Sequence, residues 1–382
     1  MCKQIFDFIL EENLTKCKNF VAIGGDVNCT DKLLRLTPLI MACKVNNFEI
    51  AELFIKHNAN VNAVSRYGKT ALTYTIKYNN RKLYEFLLEN GANLMTDNEY
   101  TNPLSSCAFY FNFDLAEDLI KRGADVNNCI PLYHVSRTEK YDMQYCEVHY
   151  MDVEKSNEMA KLLVKNGADV NRREKCLGKN PLMIAMCNRN EFLCRMLIEN
   201  GADLNHSTKS QTPLTLALNR NLSNCLIKML LEKGSNVNEC DRVGNTPLMI
   251  ASMQNKLDIC EMLISFGADV NFQNKNMETV VSFILSNNYI PVEKKLSIIK
   301  FLAIRKADFS IKNKDNKTPL DICIETKNYL ISSFILKYKR CVSVLENFAL
   351  EYILYHPKSN FVNTIIKNRF ETYKRNTLKK VQ

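Results

Sequence analysis

The sequence predicts an all-α solenoid, a stack of helix-turn-helix units joined by β-hairpin fingers, and three observations carry that reading. The first is a pentapeptide that recurs nine times, beginning at Gly24, Asn58, Gly91, Gly123, Gly167, Gly201, Gly234, Gly267 and Lys306. Its usual form is Gly-Ala-Asp-Val-Asn, and successive copies begin 34, 33, 32, 44, 34, 33, 33 and 39 residues apart. The second is a Thr-Pro-Leu motif running out of phase with it, as at Thr37-Pro38-Leu39, Thr212-Pro213-Leu214, Thr246-Pro247-Leu248 and Thr318-Pro319-Leu320. The third is size: 382 residues exceed what one hydrophobic core usually holds, and repetition lets a chain grow without enlarging its core.

Each part of the unit has a physical reason. Thr before a helix supplies an oxygen for the first free backbone amides, and Pro at the first helical position lacks only a donor that has no partner there. The Leu that follows and a small residue three positions on (Ala42, Ala185, Ala217, Ala251) read as the buried face of the first helix. A second helix carries paired apolar residues such as Phe86-Leu87-Leu88 and Met196-Leu197-Ile198. The Gly that opens the pentapeptide sits where a helix end takes a left-handed residue. Gly68, Gly178 and Gly244 then mark the reversal of each finger just before the next cap. One such unit cannot bury its apolar face alone, so neighbours must stack.

These residues resemble the ankyrin-repeat family, whose repeat is 33 residues long and opens its first helix with Thr-Pro-Leu-His. The resemblance covers about residues 1–340 and has one consistent departure: the position after Leu holds Ile40, Thr73, Ser105, Tyr133, Met183, Thr215, Met249 and Asp321, never His. In the family that His ties one hairpin to the next, so its loss implies weaker coupling between repeats here. The expected organisation is capping helices over 1–28, a repeat array over 29–340, and a basic helical cap over 341–382. That cap reads as two helices, Val342 to Tyr355 and Phe361 to Tyr373. Two excesses of length interrupt the array: one of 16 residues, with an insertion at about 137–157, and one of 6 residues around Asn288-Tyr289-Ile290-Pro291. Both are expected to emerge as loops.

Composition narrows the function. The opening residues carry Asp7 and Glu11-Glu12 within any apolar stretch, which predicts no secretory leader, and no run approaches the ~18 apolar residues of a membrane span. Fifteen cysteines without Cys-x-x-Cys spacing read as reduced thiols of a cytosolic protein. His149 near Cys146, Asp152 and Glu154 fits no metal-ligand spacing, and no phosphate loop or nucleophile motif is present. No catalytic residue, cofactor or metal is expected.

The resemblance implies instead a non-enzymatic scaffold, a monomer that binds a partner protein through its fingertips and the concave side of its first helices. On those positions fall Arg66, Tyr67, Tyr74, Lys77, Tyr78, Tyr100, Phe109, Tyr110, Arg242 and Lys275. Aromatic rings among Arg and Lys have the composition of an interface hot spot, with Tyr74, Tyr78 and Tyr110 expected to be exposed. Two alternatives stand beside this. Residues 291–382 hold 19 Lys and Arg against 8 Asp and Glu, a net +11 in a chain of +10, which could attract nucleic acid. The cations are spread over helix and finger surfaces, which favours a solvated face over that partner. Some viral and bacterial ankyrin-repeat proteins recruit a ubiquitin ligase through C-terminal helices, but Leu345 to Leu354 lacks a Pro-containing box for it.

Overall fold

The capping chemistry decides where each first helix begins. In the computed structural model, Thr37, Thr70, Asn102, Asn180, Thr212, Thr246, Thr279 and Thr318 each precede a first helix, and each side-chain oxygen accepts the N–H three residues on. The structure describes residues 2–95, 102–127, 131–136, 139–142, 147–150, 152–173, 178–208 and 211–342.

The chain divides into two compact units, residues 1–203 and 204–382. The described part of the first holds helix pairs α1/α2 (Cys2–Leu10, Leu14–Ala22), α3/α4 (Pro38–Lys44, Phe48–Lys56), α5/α6 (Ala71–Lys77, Arg81–Glu89), α7/α8 (Pro103–Tyr110, Phe113–Lys121), α9/α10 (Pro131–Ser136, Val153–Lys165) and α11/α12 (Pro181–Cys187, Glu191–Glu199). The second holds α13/α14 (Pro213–Asn219, Asn224–Glu232), α15/α16 (Pro247–Met253, Leu257–Ser265), α17/α18 (Val280–Ser286, Val292–Ile304) and α19/α20 (Pro319–Glu325, Tyr329–Val342). The expected C-terminal cap lies outside the described residues from 343 on.

The core is made of matching positions repeated along each unit. Leu39, Leu72, Leu104, Leu182, Leu214 and Leu248 are at most 1% exposed, and so are the small residues Ala42, Ala185, Ala217 and Ala251. The second helices end on left-handed residues at every pentapeptide opening; Asn58 and Lys306 hold φ 63° and 64° where the other copies use Gly. Asn enters that region more readily than most residues with a side chain. Where the family has its His, Thr73, Thr215, Ser282 and Asp321 turn back to accept their own cap residue's N–H and close a capping box.

The fingers are short and close on a few backbone bonds, as Ser65 N–H to Lys69 C=O and Gly68 N–H to Ser65 C=O (both 2.9 Å), and Asp241 N–H to Asn245 C=O and Gly244 N–H to Asp241 C=O (both 3.0 Å). Gly244 turns with φ 92°, and a Cβ there would lie 2.8 Å from the Lys275 backbone nitrogen on the next finger. The 16-residue excess is not a plain loop. It holds an antiparallel pair, β1 (Glu139–Asp142) and β2 (Glu147–Tyr150), with Lys140 opposite His149 and Tyr141 opposite Val148.

The rest of that excess, and most of the second one, lengthen helices. The ordinary second helices have nine residues, whereas α10 and α18 have thirteen. In most ordinary units the side chain eleven before the pentapeptide caps the second helix, as Asn47 does for Ile50 N–H (3.0 Å), although Asn112 and Lys256 stand there without such a bond. In α10 and α18 that residue is Ser156 or Lys295, each 2% exposed and now inside the helix. Amides there are already bonded, so an acceptor has no use. Both side chains donate instead, to end carbonyls of the preceding first helix: Ser156 Oγ to Val135, and Lys295 Nζ to Leu285 at 3.0 Å. Burial holds the Lys295 ammonium below the ordinary lysine range, opposed by the Cys323 thiol.

Neighbouring repeats are clamped by the last residue of the pentapeptide. The side chains of Asn28, Asn62, Asn127, Asn171, Asn205, Asn238 and Asn271 each bond twice to the next copy. Each Nδ2 donates to the carbonyl of that copy's first residue at 2.9–3.2 Å. Each Oδ1 accepts the N–H of its third residue at 2.6–2.9 Å. A turn inside the pentapeptide aims the side chain: the N–H of Asn28, Asn62, Asn127, Asn171, Asn238 and Asn271 donates to the Asp or Asn two residues earlier at 2.8–3.1 Å. In the second-helix layer Tyr84 adds an inter-repeat bond, its hydroxyl donating to Asp118 at 2.8 Å.

Asn238→Ala removes both bonds of one clamp, at roughly 0.5–1.5 kcal/mol each. We expect a loss of about 1–3 kcal/mol in urea unfolding and faster exchange of the Asp269 amide, with the Asn60 amide unchanged. The Tyr84–Asp118 bond predicts a pH dependence. Burial pushes the Asp118 carboxyl up, but the bonds from Arg122 and Tyr84 outweigh it and hold it below its ordinary value of 3.8. The folded state therefore binds the proton less readily than the unfolded chain, and stability rises with pH through that window. Wild type should exceed Tyr84→Phe at pH 7, and the gap should shrink as pH falls below about 4.

Candidate functional site

The first helices of the first unit end side by side. α3 ends at Lys44, α5 at Lys77 and α7 at Phe109-Tyr110, in register along the stack. Tyr78 follows α5 as its C-cap and is 42% exposed. The Lys77 Nζ stands 5.6 Å from the Tyr78 ring centroid. Phe109 and Tyr110, both half-buried, meet edge to face with centroids 4.9 Å apart. Burial first and the neighbouring Lys77 charge second push the Lys44 ammonium below its ordinary range, with Asp31 pulling the other way.

Tyr74 corrects the sequence expectation. It lies mid-helix in α5 and is 1% exposed, flanked at the equivalent position of the neighbouring first helices by Met41 and Ser106, both buried. The Lys69 ammonium stands 5.8 Å from its ring centroid. Tyr74 is thus a packing residue, and the exposed ring of that helix is Tyr78.

The fingertip residues separate by unit. Arg66 is exposed and Tyr67 half-buried on the second finger; Arg66 N–H donates to Leu34 C=O at 2.8 Å, tying that tip to the first. Arg242 and Lys275 belong to the second unit, where Lys275 Nζ donates to the Arg242 carbonyl at 2.7 Å and both side chains are exposed. Tyr100 lies outside the described residues, as do the side chains of Tyr141, Tyr145 and Tyr150. Sequence reading gave Lys69 no role and did not find the pairing of Lys44 with Lys77. The signal for the latter was available, since both close the same helix position 33 residues apart.

A model of ankyrin repeats matches the chain three times, over residues 7–98, 104–208 and 204–274. The chain belongs to the ankyrin-repeat family. An ankyrin repeat protein of fowlpox virus is 34% identical over 108 residues, 27% of this chain and 32% of that one. Alpha-latroinsectotoxin-Lt1a of Latrodectus tredecimguttatus is 26% identical over 349 residues, 78% of this chain but 23% of the toxin. An ankyrin repeat protein of Acanthamoeba polyphaga mimivirus is 33% identical over 99 residues, 24% of this chain and 61% of that one. The chain therefore spans about a third of the fowlpox relative's length and under a quarter of the toxin's. A crystal structure of an ankyrin repeat protein aligns with 48% of this chain and 92% of its own at 24% identity, with a TM-score of 0.43.

Ankyrin repeats are protein–protein interaction modules. Among the described residues no helix is long and apolar enough to cross a membrane, and no group of three or more His, Cys, Asp or Glu is placed to hold a metal.

The two tyrosines of α5 and its cap should separate in thermal melts. Tyr74→Ala removes a buried ring and is expected to cost about 3–5 kcal/mol. Tyr78→Ala, at an exposed cap, should stay within roughly 0.5–1 kcal/mol of wild type.

Proposed function

We propose that the protein is a non-enzymatic adaptor that holds a partner protein on the first-helix ends of its first unit, with the fingertips at Arg66 and Tyr67 extending the contact. The observation that carries this reading is the exposed Tyr78 ring beside Lys77, next in register to the Phe109–Tyr110 pair. Rings that are rigid, partly exposed and set among cations supply contact area at low entropic cost. Relatives in fowlpox virus and mimivirus suit a protein working in a host cytoplasm, where its partner would be a host protein and the chain itself a monomer.

The basic C-terminal quarter supports a nucleic-acid partner less well. Several of its described cations are engaged within the chain. Lys295 is buried against Leu285, Arg305 pairs with Glu261 at 2.6 Å and lies 3.7 Å from the Phe301 ring centroid, and Lys317 pairs with Glu325 at 2.7 Å. Burial withdraws Lys295 from a phosphate backbone, and the carboxylates beside Arg305 and Lys317 offset their charge. The helices that a ubiquitin-ligase adaptor would use lie outside the described residues.

Site-specific photo-crosslinking tests the adaptor reading. With p-benzoylphenylalanine at Tyr78, irradiation in lysate should give one or a few discrete protein adducts, while the same group at Glu117 on the second-helix layer should not. With the recovered protein, Tyr78→Ala should weaken binding by about 2 kcal/mol or more. Identical adduct patterns at the two positions, or none at Tyr78, would remove the site from this face.

A further inference from the structure

Charge is divided between the two helix layers of the first two repeats. Their fingers and first helices, residues 29–47 and 63–80, carry Lys32, Arg35, Lys44, Arg66, Lys69 and Lys77 against a single acid, Asp31. The second helices of the same repeats are balanced: α4 holds Glu49, Glu52 and Lys56, and α6 holds Arg81, Lys82, Glu85 and Glu89. The excess of positive charge therefore belongs to one layer.

The one acid on the basic layer bonds within its own finger, while its charge still partly offsets the lowering of the Lys44 pKa. The Asp31 carboxylate accepts the N–H groups of Leu33, Leu34 and Leu36 at 3.1, 2.9 and 2.5 Å. Lys32, Arg35 and Arg66 are exposed at the tips, and Lys44 and Lys77 stand half-buried at the helix ends. Repulsion between those two ammonium groups already acts in the free protein, second only to burial in lowering the Lys44 pKa. A carboxylate set between them would relieve it.

Beyond Lys77 the cationic surface gives way to Tyr78 and the Phe109–Tyr110 pair. We propose that this face takes an extended acidic segment of a partner protein, its carboxylates over Lys44 and Lys77 and the tips at Arg35 and Arg66, its apolar or aromatic side chain against Tyr78 and the Phe109–Tyr110 edge. The inference rests on the adaptor reading above and adds the chemistry of the partner. The aromatic geometry favours a peptide over a polynucleotide. Phe109 and Tyr110 meet edge to face and are half-buried, which suits contact with one side chain and does not form a row of parallel rings for successive bases.

Fluorescence anisotropy on the full chain tests this with four fluorescein-labelled probes. One is a 16-residue peptide of Glu, Asp, Leu and Tyr; the second is its counterpart with Gln and Asn in place of the acids; the others are a random 16-nucleotide single strand and its duplex. The acidic peptide should bind about tenfold or more tighter than the amide peptide at low salt, with the difference falling as salt rises. Lys44→Glu with Lys77→Glu should abolish that preference, Lys44→Arg with Lys77→Arg should keep it, and Lys56→Glu with Lys165→Glu should leave it within about twofold. Far-ultraviolet circular dichroism melts should be superimposable for the variants. If the reversed pair melts early, Lys77→Gln, at a half-exposed position, should still weaken the acidic peptide several-fold. Equal binding of the acidic and amide peptides overturns the inference, and so does tighter binding of either nucleic acid. Discrete adducts at Tyr78 that the acidic peptide fails to displace would overturn the acidic chemistry while leaving the adaptor reading in place.

Discussion

The two-bond clamp made by one asparagine per repeat is the constraint on which the stack depends. Apolar contact between helix layers is strong but non-directional, so by itself it lets neighbouring units slide. The carboxamide supplies a donor and an acceptor on one planar group, and the repeat edge presents a carbonyl and an amide N–H in matching positions. Asp would lack the donor and Leu would lack both. The turn that aims the side chain uses the carboxylate or amide two residues earlier, so three letters of the pentapeptide serve one joint. Met95 and Ser310 stand at that position in two of the nine copies and bring no carboxamide to it.

Much of the fold was legible in the sequence because its determinants are local. A Thr or Asn cap, a Pro at the first turn, a buried Leu and a left-handed Gly each act within a few residues, and all stand where reading placed them. What escaped depends on the neighbour in the stack. Tyr74 and Tyr78 lie four residues apart on one helix face and look alike in sequence, yet one is 1% and the other 42% exposed. The difference is that one lies between flanking helices and the other lies past the helix end. The pentapeptide asparagines were visible as a recurring letter, but their partners stand 29–42 residues away in the adjoining repeat.

The candidate site follows from the same geometry. A solenoid brings equivalent positions of successive repeats side by side, so residues 33 apart become neighbours without any long-range folding device. Lys44 beside Lys77 is one product of that register, and the passage from lysine to aromatic side chains between α5 and α7 is another.

The lengthened helices α10 and α18 show what kind of insertion the repeat tolerates. Each exceeds the ordinary second helix by four residues, close to one turn at 3.6 residues per turn. Four residues rotate what precedes them by only about 40° past a full turn, so the apolar stripe stays toward the core. Two residues would rotate it by roughly 200° and carry buried side chains to solvent. Length at this point is therefore gained in steps of a turn. At each lengthened helix the old cap position no longer accepts an amide, and Ser156 and Lys295 donate instead to end carbonyls of the preceding first helix.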